Sequence, residues 1–167
     1  MKAEHQLASP LTFLPRAIRQ PRRPVQSLAV AWLTTFPFSL VLATVVGLIA
    51  PNVPQPQFNV SGATAVLLLA VFAPVFETLI MGTALLVLLR LFSPTLAILM
   101  SAVGWGVAHS LAAPTWGLVI WWPFLIFSTL FVAWRQRSLA AAFVMPMIAH
   151  GLHNLPPALL VAYGIDI

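Results

Sequence analysis

Cysteine is absent from this 167-residue chain. That excludes a disulfide framework, a thiol nucleophile and a thiolate metal site, so any chemistry must come from oxygen and nitrogen groups. Charge is scarce as well: 7% of residues are charged and 60% are hydrophobic, against roughly 45–50% apolar usage in soluble domains. With a mean hydropathy of +0.98, a water-soluble fold is excluded. Internal repeats of 20–50 residues are missing too, which removes solenoids and propellers. The formal charge of +5 does not point to nucleic acid, because the basic residues stand in the N-terminal segment and at the ends of apolar runs rather than along one folded face.

Apolar length is what the sequence does have. Runs at Ser27–Ala50, Ala63–Leu89, Pro94–Ala112, Trp116–Trp134 and Leu139–Tyr163 are each long enough to cross about 30 Å of hydrocarbon at 1.5 Å per residue. The expectation is all-α: a polytopic integral membrane bundle of about five transmembrane helices, formed by residues 28–163 as one domain. Residues 1–27, with Arg16, Arg19, Arg22, Arg23 and four prolines, read as a mobile basic tail that buries no core; residues 164–167 are a short C-terminal end. The first run is too long for a signal peptide and ends in LIAPNVP, so it reads as a retained span.

Charge sets the expected orientation. Arg90 closes the second run and Arg135 and Arg137 close the fourth, while the intervening linkers Pro51–Gly62 and Ala113–Thr115 carry none. With the N-terminus cytoplasmic, every Lys and Arg falls on one side, as the positive-inside rule requires. The tryptophans 116, 121, 122 and 134 suit interfacial anchoring, and prolines 37, 74, 123, 146, 156 and 157 predict kinks whose freed carbonyls need other donors.

Within the runs, the ionisable side chains away from the ends are Glu77, His109, His150 and His153. Buried ionisable groups are expensive in a bilayer and usually face the bundle interior in a functional role. Counted from the cytoplasmic marks, Glu77, His109 and His150 lie about 20, 24 and 20 Å deep. Three helices thus bring polar groups to one level. Asn154 follows His150 by one turn on nearly the same face. Gly104 with Ala108, and Gly106 with Ser110, are small pairs that permit close helix approach beside His109. A carboxylate and three imidazoles could also hold zinc, but HGLHN lacks the HExxH arrangement, and the expectation is no metal and no cofactor. Glu77 could instead be a protonated carboxyl tied to a carbonyl freed by Pro74, and His153 could be a supporting partner, a loop-facing residue or a ligand.

The segments FETLIMG around Glu77, WGVAH ending in His109 and HGLHN from His150 to Asn154 resemble the three ordered motifs, EExxxR, FxxxH and HxxxN, of the CAAX protease and bacteriocin-processing (CPBP, or Abi) family. The resemblance covers Ala63–Tyr163. It implies a glutamic-type intramembrane protease, a hydrolase of bacterial or archaeal cell membranes that acts on a protein or peptide substrate. Glu77 would activate water as general base, His109 would hold and polarise that water, and His150 with Asn154 would form the oxyanion site, where each donor is worth about 2.7–4 kcal/mol. The departures are Thr78 for the second glutamate, Gly82 for the arginine and Trp105 for the phenylalanine. The first two remove an acid and a base together, leaving no unpaired buried charge. The alternative class is a noncatalytic membrane scaffold, an immunity factor or a proton or ion relay using the same buried groups. Nothing in the sequence fixes an oligomeric state.

Overall fold

The computed structural model describes residues 11–165. Every regular element among them is helical: α1 (Arg16–Arg19), α2 (Pro24–Ile49), α3 (Gly62–Leu91), α4 (Pro94–Ser110), α5 (Gly117–Trp134) and α6 (Leu139–Ala162). The five long helices coincide with the five apolar runs to within a few residues. Polar punctuation marks their starts. Ser93 Oγ accepts the Leu96 amide and Ser138 Oγ accepts the Ala141 amide, while Pro24 and Pro94 open their helices where no intrahelical donor is needed. By length and composition, α2, α3 and α5 are able to cross a membrane.

Helix α5 is the axis of the bundle. From Pro123 to Trp134 every residue is buried, with Phe124, Phe127 and Phe131 among the largest fully enclosed side chains. The other long helices surround it and turn apolar residues outward: Leu33 and Leu48 on α2, Phe72 and Ile80 on α3, Val103 and Val107 on α4. An exposed apolar exterior around an apolar core is what a bilayer solvent permits, and the chain is an integral membrane protein. In lipid, helices associate through close packing rather than hydrophobic transfer. The α4–α5 contact shows how: a Cβ built on Gly106 would lie 3.2 Å from Gly117 O, and one on Gly117 would overlap the Gly106 carbonyl. Gly104, by contrast, faces open space, so the small pair Gly104–Ala108 is not part of this contact.

One expectation is corrected. Residues 1–10 of the expected mobile tail lie outside the described residues, but from residue 11 the chain docks on the bundle. Leu14 and Ile18 are buried, Ser27 Oγ donates to Ala17 O at 2.6 Å, and Arg137 donates to Arg22 O at 3.0 Å. Two apolar side chains among arginines and prolines suffice to attach it. The tryptophans also pack within the bundle: Trp134 is buried, Trp122 Nε1 donates to Thr34 O at 2.9 Å, and Trp116 lies edge-on to His109.

The prolines lie inside continuous helices, and at two of them, Pro156 and Pro74, a side chain on another helix takes a carbonyl that the missing amide leaves free. Leu152 O, four residues before Pro156, accepts Trp32 Nε1 at 3.0 Å. In α3, residues Leu67–Phe72 widen into a π-turn and the Ala73 amide reaches back to Leu68 O. The next carbonyl in that register, Leu69 O, faces the nitrogen of Pro74, which carries no hydrogen. Asn154 Nδ2 donates to it from α6 at 3.0 Å. Gly151 makes the approach possible, since a Cβ there would stand 2.9 Å from Ala70 O.

Candidate active site

Glu77 stands in the middle of α3, a little more than one turn beyond the π-segment, and His150 in the middle of α6. His109 is the penultimate residue of α4. The helices bring them together. Glu77 Oε2 lies 3.9 Å from His109 Nε2 and 3.8 Å from His150 Nε2. Both distances exceed a direct hydrogen bond, so the three polar groups face one another at close range without bonding directly. Glu77 keeps 26% of its side-chain surface exposed, against 4% for His150. The carboxylate therefore forms the open edge of the cluster.

The two rings offer opposite hydrogen-bonding faces. His109 Nδ1 lies 2.9 Å from Trp105 O. A carbonyl only accepts, so Nδ1 carries the hydrogen and the neutral ring presents a lone pair at Nε2. His150 Nδ1 is buried without a partner, against Phe127 stacked at 4.8 Å and Phe124 edge-on at 5.2 Å. An unpaired donor there would cost more than a lone pair in an apolar wall, so the neutral ring keeps its hydrogen on Nε2, facing the carboxylate. One acceptor and one donor thus converge on Glu77 Oε2.

Aromatic residues enclose the pair. Phe124 contacts both rings and stacks on Trp105 at 4.4 Å, and Trp116 closes on His109 at 4.7 Å. The sequence reading passed over Phe124 and Phe127, because aromatics in an apolar span carry no signal separating a site wall from ordinary core. Trp105, in place of the motif phenylalanine, serves twice: its ring backs the site and its carbonyl sets the His109 tautomer.

Asn154 faces the π-turn of α3. Its amide nitrogen is engaged first on Leu69 O, so it pins α6 to the π-turn one helical turn before Glu77. The same bond gives Asn154, on α6, one carbonyl left over by Pro74. His153 is buried beside Phe36 and Phe127 with Nδ1 unpartnered. Among the described residues no group of three or more His, Asp or Glu side chains is arranged to hold a metal ion.

The motif departures have a packing explanation. A Cβ on Gly82 would overlap the rings of Phe131 and Phe143, which meet edge-to-face at 5.1 Å. Aromatic volume occupies the space a long side chain would need. Thr78 is buried with its hydroxyl unpartnered, and Ser128 Oγ lies 3.5 Å from Met81 Sδ, beside Gly82, and 2.9 Å from Ser101 Oγ, so one hydroxyl hydrogen can go to the sulfur while Ser101 donates to Ser128. The layer below Glu77 is thus neutral throughout.

Comparison with curated proteins and with solved structures gives no match. A family model described as Type II CAAX prenyl endopeptidase Rce1-like matches residues 59–156, more than half of the chain, and this span holds Glu77, His109, His150 and Asn154. With three helices converging on one carboxylate inside it, the chain belongs to the Rce1-like family of type II CAAX prenyl endopeptidases.

Proposed function

We propose that the protein is a glutamate-dependent intramembrane endopeptidase that cleaves a peptide bond near the C-terminal tail of a membrane-anchored protein. The observation that carries this reading is the placement of one carboxylate oxygen between an imidazole acceptor and an imidazole donor, both just beyond direct contact. A water in that gap gives one hydrogen to His109 Nε2 and the other to Glu77. As its oxygen attacks the scissile carbonyl, the proton passes to Glu77, and the developing oxyanion takes the hydrogen of His150 Nε2. Collapse of the tetrahedral intermediate breaks the C–N bond, and Glu77 returns the proton to the leaving amine. No covalent enzyme intermediate forms. Asn154 contributes through its hold on Leu69 and through its second amide hydrogen at the oxyanion. General-base assistance of this kind contributes about 10²–10⁴-fold and a single oxyanion donor about 10²–10³-fold.

All five long helices cross the bilayer in this reading. The start of α2 and the end of α5 lie together through Arg137 and Arg22, consistent with a cytoplasmic N-terminus in a bacterial or archaeal cell membrane. Neutral packing at Thr78 and Gly82 replaces the usual ion pair without leaving a charge unpaired.

The test is cleavage of a lipid-anchored tail peptide by protein reconstituted in liposomes, comparing wild type with Glu77→Gln, His109→Ala and His150→Ala at equal folded amounts. Loss in all three is expected. Unchanged cellular function of Glu77→Gln, together with no cleavage by the wild type, would overturn the reading in favour of a scaffold or relay.

A further inference from the structure

The described part of the chain before α2 forms a second polar site, far from Glu77 and independent of the proposed peptidase chemistry. Arg16, Gln20, Arg22, Arg23 and Gln26 line a cavity of about 220 Å³ with Ser27 at its base. Its walls are fixed. Leu14 and Ile18 anchor α1 in the core, Ser27 ties α2 to Ala17, and Arg137 holds the Arg22 carbonyl. Arg19 and Arg137 each give one guanidinium hydrogen to a backbone carbonyl. The side chains of Arg16, Arg22 and Arg23 make no hydrogen bond or ion pair with any described residue, and Glu77, in mid-span, is the only acid among the described residues. Arg16, Arg22 and Arg23, with five guanidinium donors each, line one cavity, and no acidic side chain among the described residues stands there to receive them.

The surroundings identify what would. The cavity opens at the start of α2, a helix apolar enough to cross a membrane. Gln26 in its wall is followed on the same face by the exposed apolar residues Ala29 and Leu33. A ligand seated here meets planar cationic forks above and an apolar helix face below, the pattern of an acidic headgroup with acyl chains. The uncapped first turn of α2 adds backbone donors at the same end. We infer that this cavity binds the phosphate of an anionic phospholipid, with Arg16, Arg22 and Arg23 as its ligands and the outer face of α2 as the seat of its chains. Guanidinium forks match phosphate oxygens in pairs.

Native mass spectrometry of the full-length protein, released from detergent with equimolar phosphatidylglycerol and phosphatidylcholine, tests this directly. Retention of phosphatidylglycerol over phosphatidylcholine is expected, and Arg16→Gln/Arg22→Gln/Arg23→Gln should reduce that preference about tenfold or more. Arg90→Gln, which removes a distant charge, should leave it unchanged. Gln26→Glu places a repelling charge in the cavity wall without touching the anchors Leu14 and Ile18, and should weaken retention even if the triple variant fails to fold. Equal retention of both lipids, or the same loss in Arg90→Gln, would overturn the site. Displacement of the lipid by millimolar inorganic phosphate as effectively as by added phosphatidylglycerol would overturn the lipid assignment in favour of a soluble anion.

Discussion

Trp32 donates its indole hydrogen to the carbonyl of Leu152, the acceptor that Pro156 leaves without an amide. Leu152 stands between His150 and His153, so one indole on α2 secures the backbone of the helix that carries half of the site.

Replacing Trp32 with Phe leaves that carbonyl on the outer face of the bundle without a donor and should therefore destabilise the protein by about 1 kcal/mol, the net worth of one hydrogen bond. Pro156→Ala restores the missing amide and should recover most of that loss. A double-mutant cycle in thermal unfolding checks the coupling; additive effects would show that the bond contributes nothing.

The Asn154–Leu69 bond permits the same logic with a functional readout. Asn154→Ala should lower stability by about 1–3 kcal/mol and reduce cleavage. Adding Pro74→Ala gives Leu69 O an intrahelical donor and should rescue stability. If activity returns with it, Asn154 acts purely by positioning; if activity stays low, its second amide hydrogen also serves the reaction.

Gly82→Ala should cost about 1–3 kcal/mol through overlap with Phe131 and Phe143. Phe143→Leu in the same chain should relieve part of it. Melting temperatures of the two single variants and the double variant decide the matter.

Thr78→Val exchanges a buried, unpartnered hydroxyl for a methyl of the same shape. The expected result is equal or higher stability, by up to about 1 kcal/mol, with cleavage intact. A large loss of activity at normal stability would reveal a function for that hydroxyl.

His109 should show the Nδ1–H tautomer by nitrogen NMR of selectively labelled protein, and His150 the Nε2–H tautomer. His109→Gln, whose side-chain oxygen can still accept from water, should retain more activity than His109→Ala. Equal loss in both would remove the water-holding role.

Much of this was legible from residue order. Apolar run lengths and the breaks at Ser93–Pro94 and Ser138 placed the long helices to within a few residues, because in a bilayer hydropathy and helix formation report the same constraint. Counting 1.5 Å steps from the arginines brought Glu77, His109 and His150 to one depth, and the structure puts them within 4 Å of a common oxygen. Contacts made by side chains with no polar signature were not legible. Leu14 and Ile18 are ordinary apolar residues in a segment that looks unstructured, and Phe124 is one aromatic among many. The π-turn was hidden for another reason: Pro74 marks a missing donor, but whether the helix kinks, breaks or widens depends on the partner that arrives, here Asn154 past Gly151.

Helix α4 is the short one, with 17 residues, about 25 Å at 1.5 Å per residue, and it stops one residue after His109. Helix α3 continues about 22 Å beyond Glu77 in the same direction, back to Gly62. On that side the cluster is roofed by the turn of residues 111–116 rather than by a full helix. Hydrolysis consumes one water for each bond cut, and hydrocarbon is almost empty of it. In the proposed hydrolysis, a truncated wall would shorten the dry distance that this second reactant has to travel, so the helix least able to span the membrane would set how water reaches the cluster.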